Sequence, residues 1–442
     1  MRSLWELFDL DRRGSTPGTE VRAGVATFLT MSYILFANPD ILAAAGVPKE
    51  SAVACTAAAA GICSILMGLV ANFPLALASG MGLNAIVAYG IASETKSWQA
   101  AMGLVVLDGL IVLLLVLLGF REKVMDAFPR DLRRAIGVGI GLFIAFIGFV
   151  NAKLVLVPAG TIAVLGKDPN ASMPPVTAGS LRNPETAIAM LGLIVIAALM
   201  ARGIKGAIPL GILASTLVAL ACGVTHLPQH FNSPSFSNFL QADMRGALHL
   251  HLVPALLALV MVDFFDTLGT ATAIAEQAGL QDGRGRILGL RRILAVDGAA
   301  ASIGGLFGAS SVTAYIESAA GVAEGARTGL HSVVVGILFL FAIVLAPVAG
   351  VVPAAATAPA LIVVGFLMCS EIGRIDFRNP ETGIPAFITL AVLPFTYSIS
   401  HGVGYGLLTF TAIKLVRGKI REVHPVVLVI ALAFAAYFIA GA

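Results

Sequence analysis

Three carboxylates stand in sequence that is otherwise apolar enough to lie in lipid. Asp263 and Asp266 fall within LVPALLALVMVDFFDTLGTATAIA, Leu252–Ala275, and Glu317 within GGLFGASSVTAYIESAAGVAEG, residues 304–325. An ionisable group in such a segment is costly unless it faces protein, water or a ligand, which makes each a candidate for function. An ionised carboxylate accepts several hydrogen bonds and a protonated one donates, so Glu317 suits recognition of N–H groups on a polar planar ligand and a response to proton binding. Asp263 and Asp266 are three residues apart and share a helix face, with Phe264 and Phe265 between them and the hydroxyls of Thr267 and Thr270 close by. Asn84, in an earlier apolar segment, offers both an acceptor and a donor to a heterocycle edge. Each of these residues also has a packing reading. Asp266 and Glu317 can bond between helices, Asp263 fits a structural bond as well as a ligand contact, and Asn84 fits a contact to another helix.

Other titratable groups carry less. Asp108 and Asp297 lie in apolar runs but do not follow a small-residue break, and read as bonds to neighbouring helices. Glu324 and Arg327 read as a boundary turn ahead of a guard on an inward opening, and His401, near Tyr397 and Tyr405, does not by itself make a proton relay. Cys55, Cys63, Cys222 and Cys369 have neither metal-ligand spacing nor a disulfide framework. The glycines near the acids lack the strand-to-helix context of a nucleotide fold, and no nucleophile with a base is visible, so neither cofactor nor catalysis is expected.

Composition places these residues in a membrane. Of 442 residues, 58% are hydrophobic and 12% charged, with mean hydropathy +0.93. Soluble domains carry about 25% charged residues. A net charge of +3 gives no reason to expect a nucleic-acid partner. The sequence predicts an all-α polytopic membrane protein. Leu4–Leu10, with Trp5, reads as a short interfacial helix, and no cleaved secretory signal is apparent. Spanning segments are expected over Ala23–Ala45, Ala52–Val70, Ala101–Gly119, Ala135–Val150, Ala187–Met200 and Ile208–Cys222, with a shorter, broken segment at Ala76–Ala92. Arg121, Lys123, Arg130, Arg133 and Arg134 mark one cytoplasmic loop, and Arg284, Arg286, Arg291 and Arg292 another. Residues Asn151–Asn183 read as a long polar excursion.

The second half begins at Leu252–Ala275 and continues through Ile293–Leu306, Val312–Ala323, Val333–Pro347 and Ala354–Cys369. Three further apolar pieces, Ile384–Tyr397, Val403–Val416 and Val426–Ile439, leave the C-terminal topology open. In each half the third segment is broken by small residues, ASGMGLNA in one and GASSVTAYIE in the other. Seven segments before the second half reverse its orientation, as an inverted repeat requires, and matching interruptions point to a transporter binding site. Small residues that merely bring helices together are the competing reading.

Taken together, VDFFDTLGT (Val262–Thr270), GASSVTAYIESAAGVAEGARTG (Gly308–Gly329), SGMGLNA (Ser79–Ala85) and ETGIPAFITLAVLPFTYSISHG (Glu381–Gly402) resemble the AzgA-like purine permeases of the nucleobase-cation symporter 2 superfamily. The resemblance extends over nearly the whole chain. It implies about 14 membrane segments as two inverted repeats of seven, with short extended pieces in the third and tenth. It implies a cytoplasmic segment at 1–20, a core domain from 21–120 and 246–348, and a gate domain from 121–225 and 349–442. It further implies proton-coupled import of hypoxanthine, guanine or adenine by an elevator-like motion in a cell membrane, bacterial inner or plasma membrane. Glu317 and Asp266 match the two central acids, with Glu317 the leading purine ligand and both as proton-coupling groups, and Asn84 matches a polar position in the third segment. Backbone at Ala78–Gly80 and Ala309–Ser311 is expected to complete recognition, with Gly80, Ala309 and Ser310 as contacts, and Phe264 or Phe265 to supply an apolar wall. Thr270 stands where related uracil permeases can have histidine, so their coupling scheme does not transfer. The expected partners are a purine base, a proton and the lipid bilayer, with a homodimer left open. A uracil or xanthine permease and a non-transporting scaffold are the alternatives.

Overall fold

The structure is a computed structural model and describes residues 8–119, 129–158, 161, 176–227, 233–282, 286–344, 346, 351–396 and 398–439. Trp5 and most of the expected interfacial helix, Arg121, Lys123, Arg284 and Tyr397 lie outside the described residues, as do the side chains of Phe264 and Phe265.

The first half runs α1 (Pro17–Met31), α2 (Ile34–Ala43), α3 (Lys49–Leu66, prolonged by a wide turn over Met67–Ala71), β1 (Leu77–Ser79), α4 (Met81–Ala85), a second wide turn at Ile86–Ile91, α5 (Ala92–Thr95), α6 (Trp98–Leu117) and α7 (Arg130–Asn151). A two-residue strand pair follows, β2 (Val155–Leu156) with β3 (Thr177–Ala178), so the expected polar excursion is tied at its base by an antiparallel ladder. Then come α8 (Pro184–Ala201), α9 (Ala207–Ala221) and the short α10 (Met244–Ala247). The second half contains α11 (Val253–Ala278), α12 (Leu290–Leu306), β4 (Val312–Ala314), α13 (Ser318–Ala323), α14 (Gly329–Ala342), α15 (Ala354–Met368), α16 (Pro380–Thr396), α17 (Ile399–Val416) and α18 (Pro425–Ile439).

Among the described residues, seven helical stretches are long and apolar enough to cross a membrane: Pro17–Ala43, Lys49–Ala71, Trp98–Leu117, Arg130–Asn151, Pro184–Ala201, Val253–Ala278 and Ala354–Arg374. The protein is an all-α polytopic membrane protein. Helix ends follow capping chemistry more than hydropathy. The first helix starts at Pro17 rather than Ala23, because the Thr16 side chain accepts from the Thr19 amide and Pro17 fits the first helical turn.

Two kinds of contact organise the bundle. In one group α3 packs on α14 and α6 on α12; in the other α7 packs on α15, flanked by α16 on α7 and by α8 on α15. Facing glycines set each of the three main contacts. A Cβ at Gly61 would lie 2.9 Å from the Gly336 carbonyl oxygen, one at Gly109 2.6 Å from that of Gly298, and one at Gly141 2.8 Å from that of Gly365. Backbones this close gain van der Waals contact that a side chain would prevent, the way helices associate where no hydrophobic drive exists between them.

The two broken segments meet each other. β1 pairs antiparallel with β4 in the register Leu77↔Ala314, Ala78↔Thr313 and Ser79↔Val312. The ladder is prolonged by Gly80 N to Ser311 O at 2.9 Å and Tyr315 N to Ala76 O at 3.0 Å. Serines finish the accounting. Ser318 Oγ accepts from Ala76 N at 2.9 Å, Ser332 Oγ from Leu75 N at 2.9 Å, and Ser64 Oγ from Leu77 N at 2.9 Å. Extended backbone at membrane depth survives only if protein satisfies its polar groups, and here each interruption is the other's partner.

Candidate functional site

Glu317 sits at the junction between β4 and α13, and its Oε1 accepts a hydrogen bond from Tyr33 Oη at 2.8 Å. Tyr33 occupies the break between α1 and α2 and is fully buried. Sequence reasoning overlooked it. The signal available was a phenol in the middle of the first apolar run, between Ser32 and Ile34. A second phenol, Tyr315, donates to the Ser79 carbonyl at 2.6 Å and so clamps the strand pair two residues before Glu317.

Asp266 lies near the middle of α11, within Coulombic reach of Glu317 and Asp297. It is solvent-exposed, and so are Gly269, Ala273 and Glu276 along the same helix face. This exposed stripe runs from Asp266 to the arginine-rich end of α11. An ionisable group facing lipid is costly, which favours water or protein rather than lipid over this face.

The opposite face of α11 is dry. Thr267 Oγ1 donates to Asp297 Oδ1 at 2.6 Å and lies 2.7 Å from Thr313 Oγ1, all three residues being buried. Asp297 on α12 thereby ties α11 to β4. It acts as a bond to neighbouring elements, as its sequence position suggested. Asp263, one turn before Asp266, is fully buried, and Thr270 is nearly so.

Asn84 projects from α4 and is fully buried, and neither its Oδ1 nor its Nδ2 has a hydrogen-bond partner among the described residues. Burying an amide without partners costs about 1–3 kcal/mol, so a helix contact does not account for it. Ala309 and Ser310 lie in the turn before β4 and are also buried. The Ala309 carbonyl accepts from Asn38 Nδ2 at 3.1 Å and from Ser79 Oγ at 2.6 Å, and the Gly80 amide is used in the ladder, so these backbone groups already have protein partners. Ser310 has φ +67°, a left-handed conformation unusual for a side-chain-bearing residue. Its hydroxyl and that of Ser311 are buried without a partner among the described residues. Phe264 and Phe265 lie on α11 between the two aspartates.

Two opposed half-segments crossing through a strand pair, with acids beside the crossing and an exposed helix face leading to one of them, fit a membrane transporter of the secondary type. The Permease family model (Xan_ur_permease) matches residues 18–404, and the chain belongs to this family, in the AzgA-like branch of the xanthine/uracil permease superfamily. It is therefore a permease, a multi-pass protein of the cell membrane, and not an enzyme. The adenine permease AdeP of Escherichia coli is 37% identical over 434 residues, covering 98% of this chain and 95% of its own. The guanine/hypoxanthine permease PbuG of Bacillus subtilis is 36% identical over 447 residues, covering 98% of each. Among solved structures, the transmembrane domain of a cyanobacterial bicarbonate transporter, BicA, superimposes with TM-score 0.63 over 87% of this chain and 97% of that one; at 15% identity the likeness is one of fold.

Proposed function

We propose that this permease imports purine nucleobases together with protons. The observation that carries the reading is Glu317, a carboxylate fixed at Oε1 by a buried phenol beside the crossing of the two broken segments. Its remaining acceptor capacity fits the ring N–H groups of hypoxanthine or guanine, and the unpartnered amide of Asn84 fits an oxo group or a ring nitrogen of the same base. Adenine presents a different donor and acceptor pattern and remains an equal candidate, in keeping with relatives named for either set of substrates. Asp266, on the exposed stripe and within reach of Glu317, is the group placed to couple proton uptake to base binding. In this proposal Gly80, Ala309 and Ser310 frame the site from behind.

The larger arrangement follows the same reading. About 14 segments form two inverted repeats of seven. The contact of α3 with α14 and that of α6 with α12 are the same pair of elements seen from each repeat, which supports it. The core comprises 21–120 and 246–348, the gate 121–225 and 349–442, and 1–20 is cytoplasmic. The exposed stripe from Asp266 toward the arginine-rich end of α11 supports an inward-facing state. Elevator-like movement of core against gate then exposes the crossing to either side, with differential affinity for base and proton biasing the two states.

Uptake of labelled hypoxanthine, guanine and adenine into proteoliposomes, with and without an inward proton gradient, tests this. Gradient-driven accumulation of at least one base, lost on Glu317→Gln, is the expected outcome. Sealed vesicles of active orientation that take up none of the three under either condition overturn it.

A further inference from the structure

Away from the acids, the basic face of the chain holds a cavity of about 390 Å³. Arg12, Arg13 and Arg327 line it, Asp9 is the one acid in its lining, and Ala278, Gly279 and Leu280 at the end of α11 form part of its wall. Two of the three guanidiniums are held in place by carbonyls rather than by carboxylates. Arg13 Nη1 donates to Asn72 O at 2.5 Å and Arg327 O at 3.0 Å, and Arg327 Nη1 donates to Val322 O at 3.0 Å and Ala326 O at 2.6 Å. Arg12 makes no hydrogen bond or ion pair with the described residues.

The nearby acids leave a surplus of positive charge. Glu20 is buried behind the wall, where its Oε1 accepts from Ser15 Oγ at 2.6 Å and from the Arg327 amide at 2.9 Å. The lining itself thus holds three arginines and one carboxylate, Asp9. Burial lowers the pKa of Arg13 from its ordinary value, with Arg12 adding to the effect, despite the opposing fields of Asp9 and Glu20. Like charges gathered around a cavity are costly unless an anion is received there.

We propose that this cavity is a binding site for a phosphate-bearing anion, with Arg12, Arg13 and Arg327 as its ligands. Planar guanidiniums pair with phosphate oxygens through parallel charge-assisted hydrogen bonds, and carbonyl anchors pre-orient two of the three. The positive-inside rule puts this face in the cytoplasm, where both soluble phosphates and anionic lipid headgroups are present. Position gives the site a consequence. It touches the end of α11, which carries Asp266, and the turn after α13, which follows Glu317, so a bound phosphate braces both acid-bearing elements from outside.

Thermal unfolding of the full chain distinguishes the two sources. In phosphatidylcholine nanodiscs, inorganic phosphate and pyrophosphate are compared with sodium chloride at matched ionic strength; in a second series phosphatidylglycerol replaces the neutral lipid. Stabilisation by either phosphate probe beyond chloride assigns a soluble anion, and stabilisation by phosphatidylglycerol alone assigns a headgroup. In both cases Arg12→Gln weakens the effect about tenfold, the loss of about 1.4 kcal/mol expected for one charge-assisted contact, while the Tm without ligand holds or rises, one repelling charge having been removed. No stabilisation beyond chloride from any probe, or stabilisation equal in Arg12→Gln, overturns the proposal.

Discussion

The two broken segments share a geometry and divide a chemistry. Each brings a three-residue strand to the crossing and resumes as a short helix, β1 into α4 and β4 into α13. The first arm ends in a neutral amide, Asn84, buried and without a partner among the described residues; the second ends in a carboxylate, Glu317, anchored by Tyr33. Their backbones differ as well. The second arm enters its strand through two left-handed residues, Gly308 and Ser310, whereas the first enters from the left-handed Asn72 and then leaves its strand at Gly80 with an ordinary extended conformation. A repeated fold therefore leaves each copy free to specialise. The strand pair needs both arms alike, while on the proposed function a planar base needs them different, because it offers donors on one edge and acceptors on another.

The largest test of that division is Glu317→Gln. The amide keeps the shape and can still accept from Tyr33, so only the charge and the proton site are removed. Uptake driven by a proton gradient is expected to fall at least about a hundredfold, a loss of about 2.7 kcal/mol, with the reconstituted protein's Tm nearly unchanged. If Glu317→Gln transports as well as the parent, the charged arm is not the ligand arm and the comparison fails.

Asn84→Ala comes next in size. Removing an amide whose polar atoms have no protein partner should not destabilise the free protein and can stabilise it, since an unpaired buried group is deleted. Base affinity should nonetheless fall about tenfold, the value of one good hydrogen bond to a ligand in a closed site. Competition binding with unlabelled bases, read beside thermal unfolding, separates the two effects. A lower Tm with unaltered affinity would make Asn84 a packing residue.

Tyr33→Phe addresses positioning rather than contact. The hydroxyl is lost but the ring still fills its buried site, so the expected cost is about 1.5 kcal/mol in the orientation of Glu317, about a tenfold fall at most. Discrimination among hypoxanthine, guanine and adenine should narrow, because a carboxylate freed at Oε1 can rotate to meet more than one donor pattern. Uniform loss for all three bases would indicate general damage instead.

How far these features were legible differs from one to the next. The interruptions were visible because glycine and serine break apolar runs, and the acids because charge in such runs is rare. The strand pairing was not, since three residues carry no period and each strand's partner lies in the other half. Tyr33 escaped because its acceptor is 284 positions away and a lone phenol in a helix reads as packing. The Thr267–Asp297–Thr313 contacts escaped for the same reason; their residue types were seen, but their common meeting point depends on how α11, α12 and β4 pack. The arginine cavity divides similarly: Arg327 was read as part of a boundary turn, while the space it encloses with Arg12 and Arg13 arises only in three dimensions.

The smallest expected effect separates backbone from side chain in the second arm. Ser310 is held at φ +67° where glycine carries no Cβ penalty, so Ser310→Gly should relieve about 1 kcal/mol of local strain and offset part of that through the greater freedom of glycine in the unfolded chain. A rise in Tm of a degree or two, or no change, with uptake intact would show that the turn's conformation is what the site requires. Ser310→Val should lower Tm, because a β-branched side chain is poorly tolerated there. Should Ser310→Gly keep its stability but lose base affinity, the buried hydroxyl would itself be a ligand group, and the second arm would contribute two polar contacts against one from the first.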